Sequence, residues 1–275
     1  MAAPGITTGG PLLLVGCGKM GGALLTGWLA RGVAAAAVTV AEPHPAPGSV
    51  PDGVTVVPGL DNVPGDMAPA VVVLAVKPQQ MDAVVALCRP FARPGTVFLS
   101  IAAGKDIAYY TRGLGAVAAI VRAMPNTPAA VGRGMSVLCA NAAADAAQRQ
   151  VCEALLAAVG EVAWIEDESL LDAVTAVSGG GPAYVFLLIE CLAEAGVEAG
   201  LPADLAMRLA RTTVAGAGEL VHRASEPASR LRENVTSPGG TTLEALKILM
   251  AADGLQPLLT RAIAAATRRG RELAS

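Results

Sequence analysis

The stretch LLLVGCGKMGGALLTGWL, residues 12–29, constrains the fold of this chain more than any other. An apolar run, Leu12 to Val15, reads as a buried strand. Gly16, Gly18 and Gly21 follow at the spacing G-x-G-x-x-G, and a helical pattern runs from Lys19 to Ala30. Each glycine has a physical reason. The first makes a tight turn, the second lets backbone approach a pyrophosphate, and the third lets the helix pack on the strand. A helix that starts there points free N–H groups and the positive end of its dipole at a phosphate. A glycine-rich packing turn would use the same residues. Here the strand before, the helix after and Glu42 at the end of the next strand supply the context of a dinucleotide site, the acid standing where a ribose contact is expected.

The first half continues in alternation. Residues 37–42, 70–76, 96–101 and 118–123 read as strands, and Gln79 to Cys88 as a helix. Short β-branched runs between helices predict a parallel sheet covered on both faces. The segments LAVKP (74–78), SIAAG (100–104) and RAMPNTP (122–128) end strands, so their loops converge on one crevice. Lys77, one of only four lysines, suits a ligand contact there or a solvated strand end.

After residue 163 the character changes. Alanine- and leucine-rich segments at 182–199, 203–223, 240–252 and 255–273 read as helices, separated by GLP, SEP and SPGG. The expected division is a Rossmann-type domain over 1–163 and an all-helical domain over 164–275. Small residues in TVAGAGEL (213–220) let helix backbones approach closely. So small a helical region offers little surface to bury its apolar residues within one chain, which predicts a subunit interface.

Composition excludes several classes. Net charge is −3 with no basic run, against nucleic acid as a partner. Five widely spaced cysteines without C-x-x-C fit reduced thiols in a cytoplasmic protein rather than a disulfide framework or a metal site. The segment MAAPGITTGG lacks a signal-peptide pattern, and no uninterrupted apolar run has the length to span a bilayer. The two histidines, His44 in a proline-rich loop and His222 on a helix surface, lie in no acid–base motif. A nicotinamide enzyme without an obvious acid suits a substrate that is already activated, such as a protonated imine.

SPGGTT, residues 237–242, is the second informative stretch. Ser237 reads as a helix cap and Pro238 as a first-turn residue. Gly239 and Gly240 then leave their N–H groups unshielded, an anion site fit for a carboxylate, with the hydroxyls of Thr241 and Thr242 beside it. In a helix each glycine costs about 1 kcal/mol relative to alanine, which a mere cap would not require. SGGGPAY (178–184) opens another helix with glycines, for close helix packing or for ligand contact.

Taken in order, VGCGKMG, LAVKP, SIAAG, RAMPNTPA, LDAVTAVSGGGPAYVF and ENVTSPGGTTLEAL resemble the pyrroline-5-carboxylate reductase family, from about residue 12 to about residue 270. The resemblance implies NADPH- or NADH-dependent reduction of a cyclic imine carboxylate to L-proline. It also implies a Rossmann domain, a helical dimerisation domain, and dimers assembled into larger rings. Carried over by position, cofactor contacts fall on Val15, Gly16, Cys17, Gly18, Lys19 and Met20, with Gly21 behind them. They fall also on Asn62, on Ala75, Val76, Lys77 and Pro78, on Ile101, Ala102 and Ala103, and on Asn234. Substrate contacts fall on Glu168, Thr241 and Thr242, with the backbone of Ser237, Gly239 and Gly240 at the carboxylate and Thr242 as the catalytic candidate.

Two departures stand out. Many members carry serine where this chain has Gly180, so no hydroxyl role transfers there. NADPH-preferring members often have a small hydroxyl or basic residue at the end of the second strand, where this chain has Glu42 with His44 nearby. Glu42 tilts the expectation to NADH, with both cofactors usable. A two-domain hydroxyacid dehydrogenase would need an acid–base residue, usually lysine, on the helix over 182–199, and no lysine is there. A non-catalytic dinucleotide sensor would have little reason to keep the anion-binding helix start.

Overall fold

The computed structural model describes residues 5–274. The reading of MAAPGITTGG rests in part on residues 1–4, which lie outside the described residues. Packing divides the chain into two compact units. The first runs to Gly179 and takes in the chain from Thr267 on; the second is Gly180–Ala266.

The first unit holds an eight-stranded sheet of order β3-β2-β1-β4-β5-β6-β7-β8. The strands are β1 Leu12–Val15, β2 Val38–Ala41, β3 Thr55–Val57, β4 Val71–Leu74, β5 Val97–Ser100, β6 Ala119–Met124, β7 Gly134–Ala140 and β8 Gly160–Trp164. Its helices are α1 Lys19–Ala30, α2 Met81–Cys88, α3 Ile107–Leu114, α4 Ala146–Ala157 and the short α5 Leu171–Val174. The central strands are buried on both faces, as parallel strands between helices must be. Leu12, Leu14, Val71 and Val73 face α1 and α4, where Trp28 Nε1 donates to Leu155 O at 2.9 Å. Leu13, Val15, Val72 and Leu74 face α2 and α3, beside Met81, Val85 and Tyr110.

All pairs are parallel except β6–β7. The parallel-dominated sheet that the alternation predicts is present, with one antiparallel pair added at β6–β7. Only residues 125–133 join β6 to β7, too few for the crossover that a parallel pair needs. The packing unit also runs past the expected limit at residue 163. Leu171 on α5 buries itself against Val137 and Cys139, and Asn126 Nδ2 donates to Ser178 Oγ at 3.1 Å.

The second unit is helical: α6 Gly181–Glu198, α7 Ala203–Arg223, α8 Ala228–Asn234, α9 Thr241–Leu249 and most of α10 Leu255–Ala274. Small residues bring α6 and α7 together. A methyl group added at Gly196 would stand 3.2 Å from Ala206 Cβ. Much of the apolar surface stays uncovered: Phe186 is 60%, Leu220 67% and Ile248 75% exposed.

One helical segment bears on the bilayer expectation. The helical run Glu168–Glu198, 31 residues with a mean hydropathy of 1.5 in its most apolar window, is long and apolar enough to cross a bilayer by length and composition. Core helices of soluble proteins pass the same measure, so it carries no membrane assignment.

Candidate active site

The glycine-rich loop has the geometry its spacing implies. Gly16 has φ +90°, and a Cβ there would meet Ala75 O at 2.9 Å. A Cβ at Gly21 would meet Gly16 O at 2.5 Å, so α1 can lie on the turn only without a side chain. Gly18, the N-cap of α1, is exposed, and a Cβ there would meet nothing within 4 Å. No side chain caps α1. Open space in front of uncapped helix N–H groups is what a pyrophosphate requires, so these residues fit a dinucleotide.

Glu42 turns toward this loop. Its Oε2 accepts from Cys17 N–H at 2.9 Å and its Oε1 from His44 N–H at 3.1 Å. The carboxylate thus ties the end of β2 to the fingerprint turn. Burial, and then this carboxylate, push the Cys17 thiol above its ordinary pKa, so it stays a neutral packing group.

The other first-unit candidates follow strand ends. Ala75 and Val76 are half-buried after β4, Lys77 is exposed, and Pro78 opens a 3-10 turn. Ile101 to Ala103 follow β5, with Ala102 buried. Asn62 is exposed at the end of a 3-10 turn after β3. Residues 15–21, 42, 75–78 and 101–103 therefore share the carboxyl edge of the parallel strands. Glu168 belongs to the same unit. Its Oε1 accepts from Arg122 Nη1 at 2.9 Å and from Ile107 N–H at 2.8 Å.

SPGGTT folds differently from its sequence reading. Ser237 is not the helix cap. Gly240 N–H donates to Ser237 O at 3.0 Å and Gly239 has φ +71°, so Ser237 to Gly240 form a β-turn with Pro238 second and Gly239 third. Proline presets the second position of such a turn, and only glycine takes the positive φ of the third without strain. Gly240 is the N-cap of α9, again with no side-chain cap. A Cβ at Gly240 would collide with Ser237 Oγ. Turn geometry therefore accounts for the glycines, while the N–H groups at the start of α9 stay without a side-chain cap, beside the exposed Thr241 and Thr242. Asn234 ends α8, exposed, its Nδ2 donating to Glu226 Oε1 at 3.5 Å.

Residues 168–273 match the family described as pyrroline-5-carboxylate reductase dimerisation, and residues 12–104 match NADP oxidoreductase coenzyme F420-dependent. The chain is 40% identical to a pyrroline-5-carboxylate reductase of Pseudomonas aeruginosa, over 96% of both chains. It belongs to the pyrroline-5-carboxylate reductase family. Among solved structures, the reductase of Coxiella burnetii is 32% identical with a TM-score of 0.87, covering 97% of this chain and 99% of that one. The Plasmodium falciparum pyrroline carboxylate reductase with NADP bound is 28% identical with a TM-score of 0.81, covering 96% and 98%. A Rossmann-type domain followed by a helical dimerisation domain is the family's plan, and the chain has both.

Sequence reading passed over three residues of this reductase chain: Ser100, Tyr110 and Arg122. All are buried below the loop after β5. The signal was present, since an arginine inside the apolar strand AIVRAM calls for a buried acceptor.

Proposed function

We propose that this chain reduces pyrroline-5-carboxylate to L-proline at the expense of NADPH or NADH, the last step of proline biosynthesis. The observation that carries the reading is one chain holding both an uncapped fingerprint helix and an uncapped α9 start with two threonines. Bound NAD(P)H supplies a hydride to the imine carbon while a proton reaches the nitrogen, turning C=N into CH–NH. In the first unit, the N–H groups at Gly18 to Met20 hold the pyrophosphate, Glu42 takes the ribose, and residues 75–78, 101–103 and Asn62 line the cofactor. In the second unit, the turn Ser237–Gly240 and the first N–H groups of α9 hold the carboxylate, and the Thr242 hydroxyl orients the imine nitrogen. Asn234 and Glu168 complete the assignment. Loss of NADPH or NADH absorbance on adding pyrroline-5-carboxylate tests it; no loss with either cofactor, from folded protein, overturns it.

The helical unit self-associates, as its dimerisation family indicates. We place the dimer contact on the uncovered face around Phe186, with further assembly into rings. Burying a phenylalanine contributes about 1.5–3 kcal/mol, counted twice in a two-fold dimer. Phe186→Glu is expected to weaken the dimer at least a hundredfold, read by light scattering across a concentration series. An unchanged mass at sub-micromolar protein places the contact elsewhere. Four of the five free cysteines are buried, which supports the cytoplasm as the working compartment.

Cofactor choice follows from Glu42. Its carboxylate, fixed at Cys17 N–H, accepts from ribose hydroxyls and repels a 2′-phosphate. Unit charges at about 4 Å repel by roughly 1 to 4 kcal/mol. Wild type is therefore expected to favour NADH modestly, and Glu42→Ser to shift the ratio of kcat/KM values toward NADPH about tenfold. A wild type that prefers NADPH tenfold, or a ratio the substitution leaves unmoved, removes Glu42 from that role.

A further inference from the structure

In the loop after β5, IAAGKD (101–106), Lys105 reaches Asp82 at 3.4 Å and Asp106 caps α3, but the stretch Ala102–Gly104 has no side chain to fix its shape. Ala102, Ala103 and Gly104 have no hydrogen-bonding side chains, and Gly104 has φ +74°. A cluster of buried and partly buried polar groups below holds it at both ends. At the near end, Ser100 Oγ accepts from Ala102 N–H at 3.3 Å and shares a 2.6 Å hydrogen bond with Tyr110 OH. At the far end, Ile107 N–H donates to Glu168 Oε1 at 2.8 Å, and Arg122 Nη1 holds that same oxygen at 2.9 Å. Ser100 and Arg122 stand opposite each other in the β5–β6 register, 1% and 6% exposed, so both tethers rise from one place on the sheet.

Stability alone does not explain this arrangement. Arg122 is buried and Glu168 partly so, and such a pair is often no better for folding than well-packed apolar residues of similar volume, because desolvation offsets the attraction. What the pair supplies is position. We propose that Arg122 and Tyr110 are positioning residues for the Ile101–Lys105 loop, fixing it, through Glu168 and Ser100, in the shape that receives NAD(P)H. The proposal rests on the reading that this loop meets the cofactor.

Calorimetric titration with NADP+ tests it without turnover, on Arg122→Met, Arg122→Lys, Tyr110→Phe and Ala103→Asp beside wild type, with melting temperatures as the check on folding. Arg122→Met is expected to raise Kd about tenfold and Tyr110→Phe about fivefold, the range of indirect coupling. Arg122→Lys, which can restore one of the bonds, falls between Arg122→Met and wild type. In turnover, Tyr110→Phe, which leaves Glu168 and its partners in place, shows the loss in KM for NADPH with kcat at saturation within about threefold. Ala103→Asp sets an anion in the loop itself and weakens NADP+ if the loop meets the cofactor. If it does so while Arg122→Met and Tyr110→Phe stay within twofold of wild type, positioning is refuted and the cofactor reading stands. If Ala103→Asp leaves Kd unchanged, the cofactor reading of the loop falls and the proposal with it. Should Arg122→Met fail to fold, Tyr110→Phe decides alone.

Discussion

Gly18→Asp is expected to lower the affinity for NADPH about a hundredfold while leaving the melting temperature at or above that of wild type. The reason for the intact fold is local. Gly18 has φ −71°, which aspartate adopts readily, and its Cβ would face open space. Aspartate is also a favoured N-cap, so the helix start gains a side-chain acceptor. Binding suffers for the same reason. The new carboxylate takes up the helix N–H groups and the space in front of them, and it opposes the charge of the pyrophosphate. Two unit charges at about 5 Å repel by roughly 1 to 3 kcal/mol between bulk water and the protein surface, before the steric loss is added. Gly16→Ala and Gly21→Ala should behave differently. The first meets Ala75 O at positive φ and the second meets Gly16 O, so both lower melting temperature and affinity together. Fluorescence titration of NADPH with parallel thermal melts separates the two patterns. Binding by Gly18→Asp within threefold of wild type would show that no pyrophosphate lies there.

The second large effect is at Thr242. It is the second residue of α9, exposed, two positions after an N-cap that provides no side-chain acceptor. Valine keeps its branched shape and removes only the hydroxyl. The backbone N–H groups that would hold the carboxylate are untouched, so binding and chemistry separate. We expect kcat to fall by roughly one to three powers of ten, the scale of a lost polar contact to a reacting atom, with KM for the imine changing far less. Steady-state kinetics unchanged within twofold would reduce the hydroxyl to a feature of the helix start.

Much of this was legible in the sequence where a physical constraint has a short-range signature. The fingerprint glycines are three such constraints in six residues: Gly16 and Gly21 stand where a Cβ would meet backbone, and Gly18 faces open space. Helix α7 was read at its observed limits because its breakers, GLP before and SEP after, are local. Strand β3 is only three residues long and lies at the sheet edge, so it carries no periodic pattern. Helix α4 was overlooked although Asp145 and Gln148 form a capping box, a signal as local as the glycines. β7 and β8 were missed as well. The turn at Ser237–Gly240 was misread because a cap and a proline-glycine turn use the same residues, and only the positive φ of Gly239 tells them apart. The Arg122–Glu168 pair spans 46 positions, a separation at which a single sequence offers no guide.

The central claim is the transfer of a hydride to the imine carbon of pyrroline-5-carboxylate. Its most direct test is mass and NMR analysis of the product formed from that substrate and NADPH, or NADH, carrying deuterium at the transferred position of the nicotinamide. The account predicts proline with a single deuterium on the ring carbon that adjoins nitrogen and does not bear the carboxylate, at a yield equal to the cofactor consumed. Cofactor oxidation without proline, or proline without the label there, would contradict it.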